Sequence, residues 1–186
     1  VSTTPSLERP AILATGHDLG ALHSLLAATV GTGVDVHTHG EMLPAHGYPR
    51  LREFGHLRGH FGTHWGNQLH EFRCFPGPIL ATSNCIRPPS KRYADRLWTW
   101  GPSGLPSVPS IASKGGSFGP LISRALELPV YNADASRAVL HGSSKRPGLV
   151  TGCANPALAG ALARALQAGQ IKHIFVVGGC DGTATA

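Results

Sequence analysis

No apolar stretch in this chain approaches the ~20 residues of a membrane-spanning helix, so no membrane span is expected. Residues Val1 to Pro10 have neither a basic cluster nor an apolar core, so no signal peptide is visible. There is no Cys-x-x-Cys pair. The four cysteines are widely spaced, which fits neither a secreted disulfide framework nor a zinc finger. A reducing, cytoplasmic setting is the expectation. No run of Lys or Arg exceeds two residues, and no basic stripe is interleaved with aromatics. The formal charge of +6 therefore reads as a mild surface excess, with no nucleic-acid partner. Charged residues are only 14% of the chain, too few for the highly charged class of disordered proteins. No P-loop or G-x-G-x-x-G fingerprint is present; Gly31-Thr32-Gly33 lacks the third glycine.

What the chain does have is four short apolar runs, each ending in a metal-binding residue. Pro10 to Gly16 delivers His17, Val34 to Gly40 delivers Glu41, Pro78 to Asn84 delivers Cys85, and Ile171 to Gly179 delivers Cys180. If the runs are strands of one parallel sheet, their carboxyl ends share the edge where open α/β sheets bind ligands. An imidazole, a carboxylate and two thiolates on that edge favour a transition metal or an iron–sulfur centre over calcium or magnesium.

At 186 residues the chain can build one domain with a core and part of another. The pattern alternates strand and helix, which predicts an α/β fold with a parallel sheet. Asp18 reads as the N-cap of a helix to about Val30, with Leu19, Leu22, Leu25 and Leu26 on one face. Tyr48 to Phe54 and Trp65 to Phe72 read as short helices, Arg96 to Trp100 as a strand, and Ser117 to Leu128 as a helix. Gly101 to Gly116 reads as a Pro/Gly/Ser-rich loop. The polar stretch Asn132 to Pro147 marks the expected boundary between a domain of residues 1–145 and the start of a second α/β domain, 146–186. There Asn155 and Pro156 open a helix over Ala157 to Ala168, closed by Gly169.

Each site residue has a plainer reading beside the functional one. Alone, His17 reads as a structural or capping residue. Glu41 is flanked by His37, His39 and His46, which allows a second reading as a hydrolytic zinc site with an open coordination position. Cys85 sits in Asn84-Cys85-Ile86-Arg87-Pro88-Pro89, a loop stiffened by two prolines, as a metal thiolate, a nucleophile or a small buried residue. Cys180 lies between Gly178-Gly179 and Gly182, which let backbone approach a bulky inorganic group. Cys74 and Cys153 read as ordinary buried thiols. His56, His60 and His64 have helical spacing, but Gly55, Gly59 and Gly62 argue for a loop without a metal role.

Together the motifs resemble the hybrid cluster protein family, also called prismane proteins or hydroxylamine reductases. The resemblance rests on Gly16-His17-Asp18-Leu19, on Gly31-Thr32-Gly33-Val34-Asp35-Val36 leading to Thr38-His39-Gly40-Glu41-Met42-Leu43-Pro44-Ala45-His46, on Asn84-Cys85-Ile86 with Pro88-Pro89, and on Gly178-Gly179-Cys180-Asp181-Gly182. It implies a Rossmann-like parallel sheet related to the carbon monoxide dehydrogenase fold. It also implies a hybrid iron–sulfur–oxygen cluster held by one His, two Glu and four Cys. Of these, His17, Glu41 and Cys85 would be ligands, and Cys180 the one that carries an extra sulfur. The remaining ligands would lie beyond Ala186, and a second, cubane cluster in an N-terminal domain that this chain lacks. The implied activity is reduction of hydroxylamine to ammonia or of nitric oxide to nitrous oxide, fed by an electron-donor reductase. His39 and His46 would deliver protons or orient Glu41. With four of seven ligands, the chain alone is expected to be inactive. The other readings are the zinc hydrolase using His37, His39, Glu41 and His46, and a non-catalytic remnant.

Overall fold

The three apolar runs nearest the N-terminus form neighbouring strands in the computed structural model, which describes residues 8–83, 85–130 and 156–175. The chain divides into two compact units, Val1–Thr151 and Gly152–Ala186, each described here by itself. The first holds six strands: β1 Ala11–Thr15, β2 Asp35–His39, β3 Leu57–His60, β4 Ile79–Ala81, β5 Leu97–Trp100 and β6 Ser110–Ile111. All pairs are parallel, in the order β3-β2-β1-β4-β5-β6. Its helices are α1 (Leu19–Thr29), α2 (Pro49–Arg52), α3 (Gln68–Cys74) and α4 (Gly119–Glu127). This is the expected parallel α/β sheet. Its strand order grows outward from β1 first to one side and then to the other, leaving a crevice between the carboxyl ends of β1 and β4.

Each central strand is buried on both faces, which makes it an unbroken apolar run in the sequence. Ile12 and Ala14 of β1, with Val36, Leu80 and Trp100, pack on Leu22, Leu25 and Leu26 of α1 and on Leu121 and Ala125 of α4. On the other face Ala11, Leu13, Ile79, Ala81 and Leu97 join Phe61, Phe72, Phe75 and Tyr93. Each fully buried Leu, Ile or Phe contributes about 1.5–3 kcal/mol.

Asp18 caps α1 as its sequence position predicts. Its Oδ1 accepts from the Ala21 N–H at 2.9 Å, and its Oδ2 from the Trp100 indole at 3.1 Å, so the same carboxylate ties the helix to β5. Asp35, buried at the start of β2, stands 3.4 Å from both Arg9 and Arg58.

Five expectations need correction. The stretch Gly55 to Gly66 contains β3, and the loop Gly101 to Gly116 contains β6. Both are short strands recruited by a neighbour, so pairing overrides composition. α2 is shorter than Tyr48 to Phe54, and α3 starts only after a 3-10 turn over Trp65–Asn67. In the second unit the predicted helix is present as α5 (Pro156–Gln167), but Ile171 to Phe175 is not a strand. A strand exists by pairing, and the described residues of that unit offer no second strand. The expected domain boundary near residue 145 and the end of the last run, with Cys180, lie outside the described residues. No helix among the described residues is long and apolar enough to cross a membrane.

Replacing Asp18 by Ala removes the cap of α1 and the Trp100 bond together. We expect a loss of about 2 kcal/mol. A urea titration would show a lower midpoint with an unchanged slope; an unchanged midpoint would refute the double role of this carboxylate.

Candidate metal centre

Strand β1 hands over to Gly16, which adopts φ +107°. A Cβ there would collide with the hydroxyls of Thr82 and Ser83, so only glycine lets the turns after β1 and β4 cross this closely. Thr82 fastens the crossing: its N–H and its hydroxyl both donate to the Thr15 carbonyl at 2.9 Å. The crossing brings His17 against Ser83, with His17 Nδ1 2.7 Å from Ser83 Oγ.

The other imidazole nitrogen faces the centre. His17 Nε2 contacts Glu41 Oε2, and Cys85 Sγ lies 3.6 Å from the same nitrogen. One ligand atom from each residue lies within 4.8 Å of the others. Atoms bound to a common ion at about 2.0–2.3 Å stand about 3–4 Å apart, so the trio fits one metal. A nitrogen, a carboxylate oxygen and a sulfur form a mixed donor set for a transition metal. In the metal-binding tautomer Nδ1–H donates to Ser83 Oγ, which leaves the Nε2 lone pair pointing inward. The His17 and Glu41 side chains remain 42% and 33% exposed, so the centre is open on its outer side.

The flanking histidines take other places. β2 alternates, and His37 and His39 share the face opposite Thr38. His39 is fully buried; its Nε2–H donates to Glu71 Oε2 at 2.8 Å and its Nδ1 lies 3.0 Å from the Thr15 hydroxyl oxygen. Glu71 also accepts from the Thr63 hydroxyl at 2.7 Å, which in turn accepts from Asn67 Nδ2 at 2.8 Å. Burial alone would raise the Glu71 pKa. The bonds from His39 and Thr63, with the His39 charge, outweigh it and bring the carboxyl below its usual value. Gly62, at φ +79°, admits this pair because a Cβ there would strike the Glu71 carboxylate and the His39 ring.

On the other face His46 Nε2 lies 2.8 Å from Thr38 Oγ1, which lies 2.9 Å from His60 Nδ1. Burial lowers both histidines to about pKa 4, aided for His60 by the His39 and His46 charges. His37, at zero exposure, lies edge-on to Phe75, and neither ring nitrogen has a hydrogen-bond partner. Burial, then the charges of His46 and Arg58, lower its pKa to about 3.

The set His37, His39, Glu41 and His46 is therefore split across the two faces of β2. Among the described residues His17, Glu41 and Cys85 are the group able to hold a metal, and the zinc hydrolase reading falls. His60, expected in a loop, is buried on β3. Cys74 is half-exposed rather than buried, its sulfur 4.0 Å from His70 Nε2. Cys153 lies outside the described residues. Sequence reading missed Ser83, Glu71 and His60. Ser83 borders the cysteine motif, whereas Glu71 looks like any carboxylate on a short helix.

A family model, Prismane/CO dehydrogenase, matches residues 1–186. The chain belongs to the Prismane/CO dehydrogenase family. It is 46% identical over 185 residues to a hydroxylamine reductase of Acidiphilium cryptum, covering 99% of this chain and 31% of that protein. It is 45% identical over 172 residues to one of Solidesulfovibrio magneticus, covering 92% and 30%. It is 47% identical over 173 residues to one of Moorella thermoacetica, covering 93% and 38%. The chain thus spans about a third of the length of these curated relatives.

The buried histidines set an acid limit on stability. Folded pKa values of about 3 for His37 and about 4 for His46 and His60 lie below the unfolded value of 6.5. Below pH 6.5 the unfolded chain binds protons that the folded one refuses. Their contribution is complete above pH 6.5 and is lost as pH falls toward 4, at most about 1.4 kcal/mol per pH unit per histidine. Urea midpoints at pH 7.5, 6 and 5 should fall steeply; equal midpoints would show that these rings are not held neutral.

Proposed function

We propose that this chain carries part of the metal centre of a hydroxylamine reductase of the hybrid cluster type. The convergence of His17 Nε2, Glu41 Oε2 and Cys85 Sγ at the sheet's crevice carries this reading, and the relatives' shared name supports it. The substrates are hydroxylamine, reduced to ammonia, and nitric oxide, reduced to nitrous oxide. Cys180 is the fourth ligand from this chain, and the remaining ligands come from a further segment. A separate cubane cluster and an electron-donor reductase bring electrons, in a cytoplasmic setting without nucleic-acid or membrane partners.

When bound, the iron–sulfur–oxygen cluster supplies electrons and a Lewis acid for the N–O group. The chain's own groups do the rest. Ser83 fixes the face that His17 presents. The exposed outer side of the trio leaves room for a molecule as small as hydroxylamine. Reduction of hydroxylamine to ammonia and water takes up two electrons and two protons. His39 is the proton carrier in this reading. It links the Thr15 hydroxyl, beside the His17 turn, to Glu71, and from there hydrogen bonds run through Thr63 to exposed Asn67. His46 is neutral down to about pH 4, which suits it to hold Thr38 rather than to donate a proton at neutral pH.

The test uses the product of the complete reading frame, purified anaerobically, with a reduced viologen dye as electron donor. His17→Ala, Glu41→Ala and Cys85→Ser should each lower kcat/KM for hydroxylamine more than ~100-fold with the fold intact. Each should also lower the bound iron. A parent protein without iron would overturn the proposal and leave the non-catalytic remnant. The 186-residue chain alone should show no turnover. Stoichiometric iron with turnover in that chain would disprove the need for ligands from elsewhere.

A further inference from the structure

Cys85 lies in a connection between β4 and β5 that has no regular element before the 3-10 turn over Ala94–Arg96. Among the described residues no strand or helix holds this connection, which makes side-chain bonds to its backbone the visible means of aiming the sulfur. Gln68, the first residue of α3, has zero exposure. Its Nε2 donates to the Cys85 carbonyl at 2.6 Å, and its Oε1 accepts from the Arg87 N–H at 3.0 Å. One bond needs the amide's donor and the other its acceptor, so the side chain has one orientation. Arg87 returns the contact, its Nη1 donating to the Gly66 carbonyl at 3.0 Å. A buried amide is unfavourable unless both ends are bonded, and here both bonds fall on the two sides of Ile86 in the cysteine loop.

We propose that Gln68 is a positioning residue for the metal centre. It clamps the backbone of residues 85–87 so that the Cys85 thiolate meets the metal held by His17 and Glu41. This inference rests on the metal-centre reading above. Pro88 and Pro89 stiffen the chain on one side only. They set local dihedrals but give no bond to α3.

The test is anaerobic titration of the chain with cobalt(II) chloride, followed by its cobalt–thiolate absorption. Gln68→Met keeps the length and the packing and removes both bonds. Gln68→Glu keeps an acceptor for Arg87 and, when ionised, offers no donor to Cys85. Both should bind cobalt about 10–100-fold more weakly than the parent, with weaker thiolate absorption. Leu69→Ala, a 40% exposed neighbour on the same helix, controls for a general disturbance of α3 and should bind like the parent. Parental affinity in either folded Gln68 variant would overturn the proposal, and the glutamate variant decides the matter if the methionine variant does not fold. A parent chain without cobalt–thiolate absorption would overturn the metal-centre reading itself. A weakening by Leu69→Ala equal to that by Gln68→Met would reduce Gln68 to a structural residue.

Discussion

The centre depends on the register of β1 between its two neighbours. Thr15 pairs with His39 on one side and with Ala81 on the other, so three strands end level. The candidate ligands then follow at short, fixed intervals: His17 two residues past Thr15, Glu41 two past His39, Cys85 four past Ala81. A slip of one residue would turn every side chain of a strand to the opposite face, and the apolar cores on both faces forbid it. The same burial that stabilises the sheet thus aligns the three candidate ligands, with no separate device needed for the alignment along the strands. What burial cannot do is aim the side chains once the strands have ended. There Gly16 and Thr82 hold the crossing of the two turns, and Ser83 sets the imidazole.

The polar groups behind the centre fall into two sets of opposite character on the two faces of β2. His39 is paired with an ionised carboxylate and linked by hydrogen bonds to the surface. His46 and His60 share one threonine hydroxyl, which has a single proton and can therefore donate to only one of the two rings. Burial favours the neutral form of both rings, and the charges of His39 and His46 further lower the affinity of His60 for a proton.

The sequence was most readable where burial was most complete. β1, β2 and β4 stand out as apolar runs because neither face meets water, and Asp18 is legible because a cap needs only its own few residues. β3 and β6 lie at the edges of the sheet and owe their extended form to a partner, which no local pattern encodes. The convergence of His17, Glu41 and Cys85 could be read because each follows such a run. The histidines around Glu41 misled for a related reason: closeness in sequence on a strand separates odd from even positions, so His37 and His39 leave His46 on the far side with Thr38. Gln68 and Glu71 gave no signal at all. Polar residues on a short helix ordinarily face water, and only the loop and strand ends packed over α3 make them buried.

His37 stands apart from both sets. It is enclosed by the aromatic side of the core and has no hydrogen bond at either nitrogen, an arrangement that disfavours folding by the desolvation of two polar atoms. A phenylalanine of similar shape would remove that penalty. It would also remove the polar group that lies one step back along the face on which His39 meets Glu71. With its pKa lowered to about 3 by burial, the ring is neutral at neutral pH and adds no charge to that pair. Its effect on His39 is confined to dipole and packing, which makes His37 a property of the core rather than of the centre, although it sits only four residues from Glu41.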